Sequence, residues 1–459
     1  MALNLSRNTK VYFTTNVAAN TGVVASSGFT NSNTWEIAVL DGYKFSQATN
    51  QQTIQANEAG VTPSRGQRSF NTELAPVDWN FATYIRPELS GGKVICTEKY
   101  LWNALNGSKA ISTSTNITVT GISRTATTTG LCTATGAAGF GSQFAVNDYV
   151  NFIGTSVAAF DGTFKVLSTA STTITFTNPY LKTTDAVTAT GGVAGTGQWF
   201  EGSTAYSVIT TANSNSNSLQ LCGLVFRVDN IFYAVDNAVI DKADIDFGID
   251  AIAQVAWSGK GSQVRDLAIT SAALITSTGF AAITAPSTTA KFITNKLSTL
   301  TVVQGFDGTG TSYTIPITGG NVSISNNITY LTPQVLGTVN IPIGYSLGAR
   351  SVSGTINAYL KTGTNESSTL LKDILTGAGS STENTYSVTM DIGGITNTVK
   401  VSLDMPATML QVPTVDVQDI VSTSINFTAQ AFDPLGSTNA TAAYNMAETN
   451  ELNVRYYAA

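Results

Sequence analysis

Asp241, Asp244, Asp246 and Asp250 crowd one short stretch of the chain. Such a density of carboxylates raises two kinds of chemistry: oxygen ligation of a hard cation such as calcium, and the paired carboxyl groups of glycoside hydrolysis. The pattern suits neither. A calcium loop brings glycine to a sharp turn, whereas here Ile245, Phe247 and Ile249 interleave the acids at period two, and no second acidic cluster completes a site. The reading that fits is the solvated face of a β-strand. Other chemistry finds equally little footing. Histidine is absent, which removes the commonest general base and metal ligand. Cys96, Cys132 and Cys222 are far apart and without zinc spacing, so they read as buried thiols. The glycine-rich run Thr133–Gly141 lacks the Lys-Ser/Thr ending of a phosphate loop, and no GxSxG elbow occurs. The sequence predicts no catalytic, cofactor-binding or metal-binding residue and no enzyme.

The elements that carry the acids show a more telling pattern. Counting from Ala243, odd positions through Trp257 are apolar, while Asp244, Asp246, Asp250, Gln254 and Ser258 take even positions; Ile252 and Ala256 break the rule. Read as one strand, Ala243–Ser258 has a packed face and a wet, acidic face. It can be laid without a gap on 415–430, where Val415, Val417, Val421, Ile425 and Phe427 oppose Asp416, Gln418, Ser422, Ser424 and Asn426, with a bulge expected at Asp419 and Ile420. Three further matches accompany it: Trp35–Gly42 with Tyr313–Gly320, Val77–Ile85 with Val352–Leu360, and helix-like Leu101–Leu105 with Leu371–Leu375. The spacing between partners is nearly constant for these three and far shorter for the aspartate strand. One building block therefore occurs twice, and the first copy carries an insertion between Leu105 and Ala243. The division expected is 1–108 with 200–288 for a discontinuous first unit, 109–199 for the insertion and 289–459 for the second unit.

Composition agrees with a mainly β fold. Charged residues make up 11% of 459, against roughly 25% in ordinary soluble chains. Thr, Ser, Asn, Ala and Gly fill the deficit, favouring strands with uncharged polar faces. A net charge of −6 without a basic block leaves no footprint for specific nucleic-acid binding. No run is long and apolar enough for a signal peptide or a membrane span, which implies cytoplasmic synthesis. Strands are expected at Lys10–Thr14, Trp35–Leu40, Tyr43–Phe45, Gln51–Asn57 and Val77–Ile85, and a helix over Thr97–Leu105 with Thr97 as its cap. Thr62–Arg68 reads as a loop whose Arg65 and Arg68 are candidates for contact with a neighbouring chain. In the insertion, strands at Tyr149–Ile153, Thr163–Leu167 and Thr173–Thr177 resemble a small β module of the kind added to phage and secreted surface proteins.

The segments Glu58–Pro87, Lys99–Leu105 and Ala238–Gly261 resemble tail tube proteins of tailed bacteriophages, most specifically in the acidic run leading into Asp246–Gly261. The resemblance covers most of the first copy outside the insertion and fits the second copy weakly. It implies a β-sandwich or β-barrel core with a flanking short helix in each copy, an inserted small all-β unit, and stacked rings joined into a β-lined channel. A duplicated chain then needs three subunits for a pseudo-sixfold ring, with a single-copy hexamer as the alternative. On this reading Asp244, Asp246, Asp250, Gln254, Asp416 and Gln418 face the lumen, and Arg65, Arg68 and the segment Ser262–Ser287 make contacts between subunits or rings. Partners are further copies of the chain, other tail proteins (a terminator, a baseplate or tip, a sheath) and viral DNA in transit, in a virion tail assembled after synthesis in the host cytoplasm. The competing class is a virion or secreted adhesin that binds glycans through aromatics such as Tyr180, Trp199 and Phe200.

Overall fold

The computed structural model describes residues 9–54, 67–90, 93–107, 117–124, 131–146, 149–157, 160, 162–178, 187–195, 206–210, 219–304, 311–336, 339–379, 385–393, 399–416, 421–430 and 451–458. The fold is mainly β, as the composition predicts, built on large antiparallel sheets; the main sheet does not close into a barrel within the chain.

Strand pairing repeats the internal duplication. In the first copy, Thr34–Ile37 pairs with Thr9–Thr14, which pairs with Cys222–Val228, which pairs with the long strand Ile231–Asp246. The far half of that strand continues to Gln254–Gly261, Val77–Tyr84 and Lys44–Ser46. The second copy runs in the same order: Ser312–Ile315, Thr299–Gln304, Thr385–Ile392, Lys400–Leu410 with Thr414–Asp416, then Ser422–Ala429, Ser351–Tyr359 and Ile317–Ser325. Even the late strands correspond, because Gln263–Asp266 pairs with the long strand as Asn453–Tyr457 pairs with Lys400–Leu410. One apolar core runs through both copies, with Trp79, Trp257, Ile245 and Phe226 from the first and Ile356, Phe427, Val388 and Leu403 from the second.

Ala243–Ser258 is a hairpin rather than the single strand expected. Ile231–Asp246 ends, Gly248 and Ala251 close a turn by a backbone hydrogen bond, and Gln254–Gly261 returns. The sequence pattern hides this because Asp246 sits across from Gln254 and directly opposed residues share a face. Odd parity thus crosses the turn intact, keeping Ala243, Ile245, Val255 and Trp257 together in the core. Ile249, in the turn, is 47% exposed. The counterpart is also a hairpin, but a shorter one: Asp416 sits across from Ser422, so Asp416 matches Asp246 and Ser422 matches Gln254. The gapless match of Ala243 to Val415 does not hold, because the two turns differ in length; the bulge expected at Asp419 and Ile420 falls outside the described residues.

The first helix, α1 (Lys99–Asn106), starts two residues later than expected. Its N-cap position is Glu98, not Thr97, and Thr97 donates its hydroxyl hydrogen bond to Glu98 Oε1. Gly107 ends α1 in the left-handed conformation (φ 84°) that glycine adopts without strain. Leu101, Trp102, Ala104 and Leu105 are buried, with Trp102 edge-on to Trp257 at 4.9 Å. A second helix, α2 (Ala272–Thr278), caps a satellite core of Tyr12, Phe29, Phe232 and Phe280 on the outer side of the first sheet. The third, α3 (Ser367–Ala378), occupies the place of α1 in the second copy, with Leu370 and Ile374 buried.

Within the insertion, Ile117–Arg124, Leu131–Gly136, Tyr149–Ile153, Gly162–Thr169, Thr173–Thr177, Val187–Thr190 and Val193–Gly195 form a sheet of their own. Its core of Ile122, Phe152, Phe160, Phe164 and Phe176 is separate from the main one. Gly141, the last residue of the glycine-rich run, is needed for close approach, since a Cβ there would meet the Ala170 carbonyl at 1.7 Å.

Candidate functional site

The aspartates belong to a face larger than their own hairpin. Asp246 lies across from Gln254, which lies across from Tyr84; on the other side it faces Asn321, then Thr355, then Asn426. The neighbouring row reads Ala82, Ala256, Asp244, Ser323, Ser353 and Thr428. Opposed residues share a face, so each row crosses the sheet on the side away from the core. The two copies are fused where Lys242–Asp246 meets Asn321–Ser325. The result is one ribbon with a hydroxyl- and amide-rich surface, from Lys44–Ser46 at one end to Thr414–Asp416 at the other.

The charge on this face is mostly paired. Lys242 Nζ is 2.9 Å from Asp244, and Lys260 Nζ is 2.8 Å from Asp78. Asp246 is exposed, and its carboxyl is raised from its ordinary value by partial desolvation and by Asp244, against an opposing pull from Lys242. Asp250 stands exposed in the turn rather than on the strand face. Asp416 ends a strand, and Gln418 lies outside the described residues. Asp244, Asp246 and Gln254 are therefore brought to one face, while Asp250 is set apart by the turn. Lys44, Asp78, Asn321, Ser323 and Thr355 share the face without having been singled out in the sequence. Alternation of Ser, Thr and Asn with Val and Ile was the available sign.

Arg65 lies outside the described residues. Arg68 is not in a loop but opens the strand Arg68–Leu74, where it is exposed and sits across from Ile54. Tyr180, Trp199 and Phe200 also lie outside the described residues. In the segment from Ser262 to Ser287, Leu267, Ile269 and Phe280 are spent on the satellite core, which leaves the exposed flank of α2 as its outer surface. All three cysteines are buried thiols that form no disulfide.

The junction between copies is reinforced behind the ribbon. Trp102 of α1 donates its indole N–H to Tyr456 Oη at 2.9 Å, linking the first helix to the last strand. Asn326 donates to the carbonyls of Leu105 and Ile240 at 2.9 and 3.2 Å. Beside Tyr456, the buried Cys96 thiol donates to Glu98 at 3.3 Å, and burial pushes the Glu98 carboxyl up to about 7.

Among known proteins, the chain is similar to the tail tube protein pb6 of Escherichia phage T5, at 27% identity over 448 residues. The match spans 94% of this chain and 73% of that protein, so it includes both copies and the insertion. No family model matches the chain. The chain is a relative of a phage tail tube protein, and this relationship supports a structural role in the tail tube and a place in the virion tail.

Proposed function

We propose that this chain assembles into trimeric rings in which each subunit supplies two of six quasi-equivalent positions, and that the rings stack into the conduit for viral DNA. The observation that carries this reading is the repeated strand order together with the fused junction. A unit that pairs edge to edge with its own duplicate inside one chain presents the interface that, repeated, closes a ring. The three-part division at 1–108 with 200–288, 109–199 and 289–459 belongs to the same proposal. So do synthesis in the host cytoplasm and contacts with a terminator, a baseplate or tip, and a sheath.

In this assembly the polar side of the ribbon lines the lumen, with Asp244, Asp246 and Gln254 on it, Asp250 in the turn at its rim and Asp416 at the end of its last strand; Gln418, assigned to the lumen from the sequence, lies outside the described residues. Conduction follows from what the face lacks. Its lysines 242 and 260 are occupied by carboxylates, so a passing polyanion meets few free cations, and Asp246 adds like-charge repulsion. Hydroxyls and amides remain wet and offer no array of phosphate contacts of the kind that gives nucleic acid its affinity. Arg68 and the Thr49–Ile54/Arg68–Leu74 hairpin are assigned to contacts between rings.

End-on averages of the purified chain in negative stain test the reading. Hollow rings with threefold symmetry and six lobes support it. Sixfold rings with the second copy projecting outward favour the single-copy hexamer, and compact solid particles favour an adhesin.

A further inference from the structure

The fused junction contains a template for the contact between subunits. Inside the chain, the edge Lys242–Asp246 of the first copy pairs antiparallel with Asn321–Ser325 of the second, and Ile245 lies across from Val322 with both side chains fully buried. Each edge has a counterpart at a far end of the ribbon. Asp416 closes its hairpin against Ser422 as Asp246 closes against Gln254, so Val415 corresponds to Ile245. On the other side, Gln254 and Ser422 pair with Tyr84 and Tyr359, which sets Trp79 in the place of Gly354; Phe45, across from Trp79, then corresponds to Val322, across from Gly354.

Among the described residues, Lys44–Ser46 pairs only with Val77–Tyr84, and Thr414–Asp416 only with Ser422–Ala429. Their apolar residues show what is missing: Val415 is 39% exposed where Ile245 is 0%, and Phe45 is half-buried where Val322 is 0%. An open edge with exposed apolar side chains is a template for pairing with another chain. The same contrast holds behind the ribbon, where Leu105 is buried at the junction and Leu375, its match in α3, is 51% exposed.

Building on the ring proposal, we infer that Thr414–Asp416 of one subunit pairs antiparallel with Lys44–Ser46 of the next, in the register that sets Val415 across from Phe45. That register sets Thr414 across from Ser46 and an acidic position, 416, across from a basic one, Lys44. A slip by one residue would turn Val415 away from the core face and lose both matches.

Cysteine trapping tests the register. The native cysteines are buried, so Ser46→Cys with Thr414→Cys places the one accessible pair across the inferred seam. Mild oxidation of assembled material should give reducible species on a denaturing gel up to a closed trimer. The slipped pair, Lys44→Cys with Thr414→Cys, should link about tenfold less, because disulfide geometry rejects diagonal partners. As a second variant, Val415→Asp should leave a folded chain that no longer forms rings. Rings that form in micrographs yet fail to trap at 46 and 414, or trap better in the slipped pair, overturn the inference while the ring proposal stands. So do normal rings from Val415→Asp. A wild-type chain that forms no rings removes the ring proposal and this seam with it.

Discussion

The two copies share a strand order but not a setting, and the contrast is sharpest at their helices. α1 is wedged between the copies: four of its apolar side chains are buried, and Trp102 touches both Trp257 and Tyr456. α3 buries Leu370 and Ile374 on its own sheet and leaves Leu375 and Lys372 in solvent. Equivalent sequence thus yields a buried helix where a second copy is present and a half-covered one where none is. Helix burial is greater at the internal junction than at the far end, where Leu375 remains exposed.

The largest break in that comparison should come from Trp102→Ala. It removes a fully buried aromatic and leaves Tyr456 without its indole donor, so a loss of about 3–5 kcal/mol is expected in urea unfolding. Lys372→Ala, at the matching position of α3, should change stability by less than about 0.5 kcal/mol. Equal losses at the two positions would show that the copies do not differ as the burial implies.

The next comparison is between two ion pairs set on corresponding strands. Arg455 is bonded to Asp404 with both groups buried, whereas Arg265, bonded to Asp236 at 2.9 Å, remains partly exposed. Asp236 also accepts the Val24 N–H at 2.8 Å. Burial raises the Asp404 carboxyl, and Arg455 opposes that rise. Arg455→Met should therefore cost about 3–5 kcal/mol by stranding a buried carboxylate, and Arg265→Met about 1–2 kcal/mol. The ordering is the test, and a costlier Arg265 variant would reverse it.

Glu98 gives the seam a pH dependence. Burial holds its folded carboxyl at about 7, above the 4.5 of an unperturbed glutamate, so the folded chain binds more protons than the unfolded chain between those values. Its contribution is fully present below about pH 4.5 and is lost as the pH rises toward 7, by at most about 3 kcal/mol. Stability measured across that window should fall for the wild type, and Glu98→Gln should remove most of the slope. An unchanged slope would place the titrating group elsewhere.

Much of this was legible in the sequence, for definable reasons. Short matches such as Trp35–Gly42 with Tyr313–Gly320 sufficed to reveal the duplication, because apolar alternation is dictated by which face a strand buries, and corresponding strands bury corresponding faces. The turn between Asp246 and Gln254 was not legible, since a hairpin of this register carries parity straight through it. The cap of α1 was misplaced because Thr97 spends its hydroxyl on Glu98. The acidity of the polar face was overstated, because cross-strand and same-strand pairing with Lys260 and Lys242 cannot be read from residue counts. Open edges are invisible to periodicity altogether: Val415 and Ile245 look alike until their partners are known.

That last distinction sets the smallest effect. Lys242 and Asp244 stand two residues apart on one strand, with the lysine side chain 43% exposed, so water screens their attraction and Asp244→Asn should cost no more than about 0.5–1 kcal/mol. Its consequence lies on the surface instead. Freeing Lys242 adds a cation to a face on which Lys242 and Lys260 are otherwise paired, so retention of single-stranded or duplex DNA at low salt should rise in Asp244→Asn and rise further in Asp246→Lys, without loss of fold. Retention that tracks the number of unpaired lysines would tie the low adhesion of the face to charge pairing, whereas equal retention by all three proteins would mean that hydroxyl and amide coverage alone sets it.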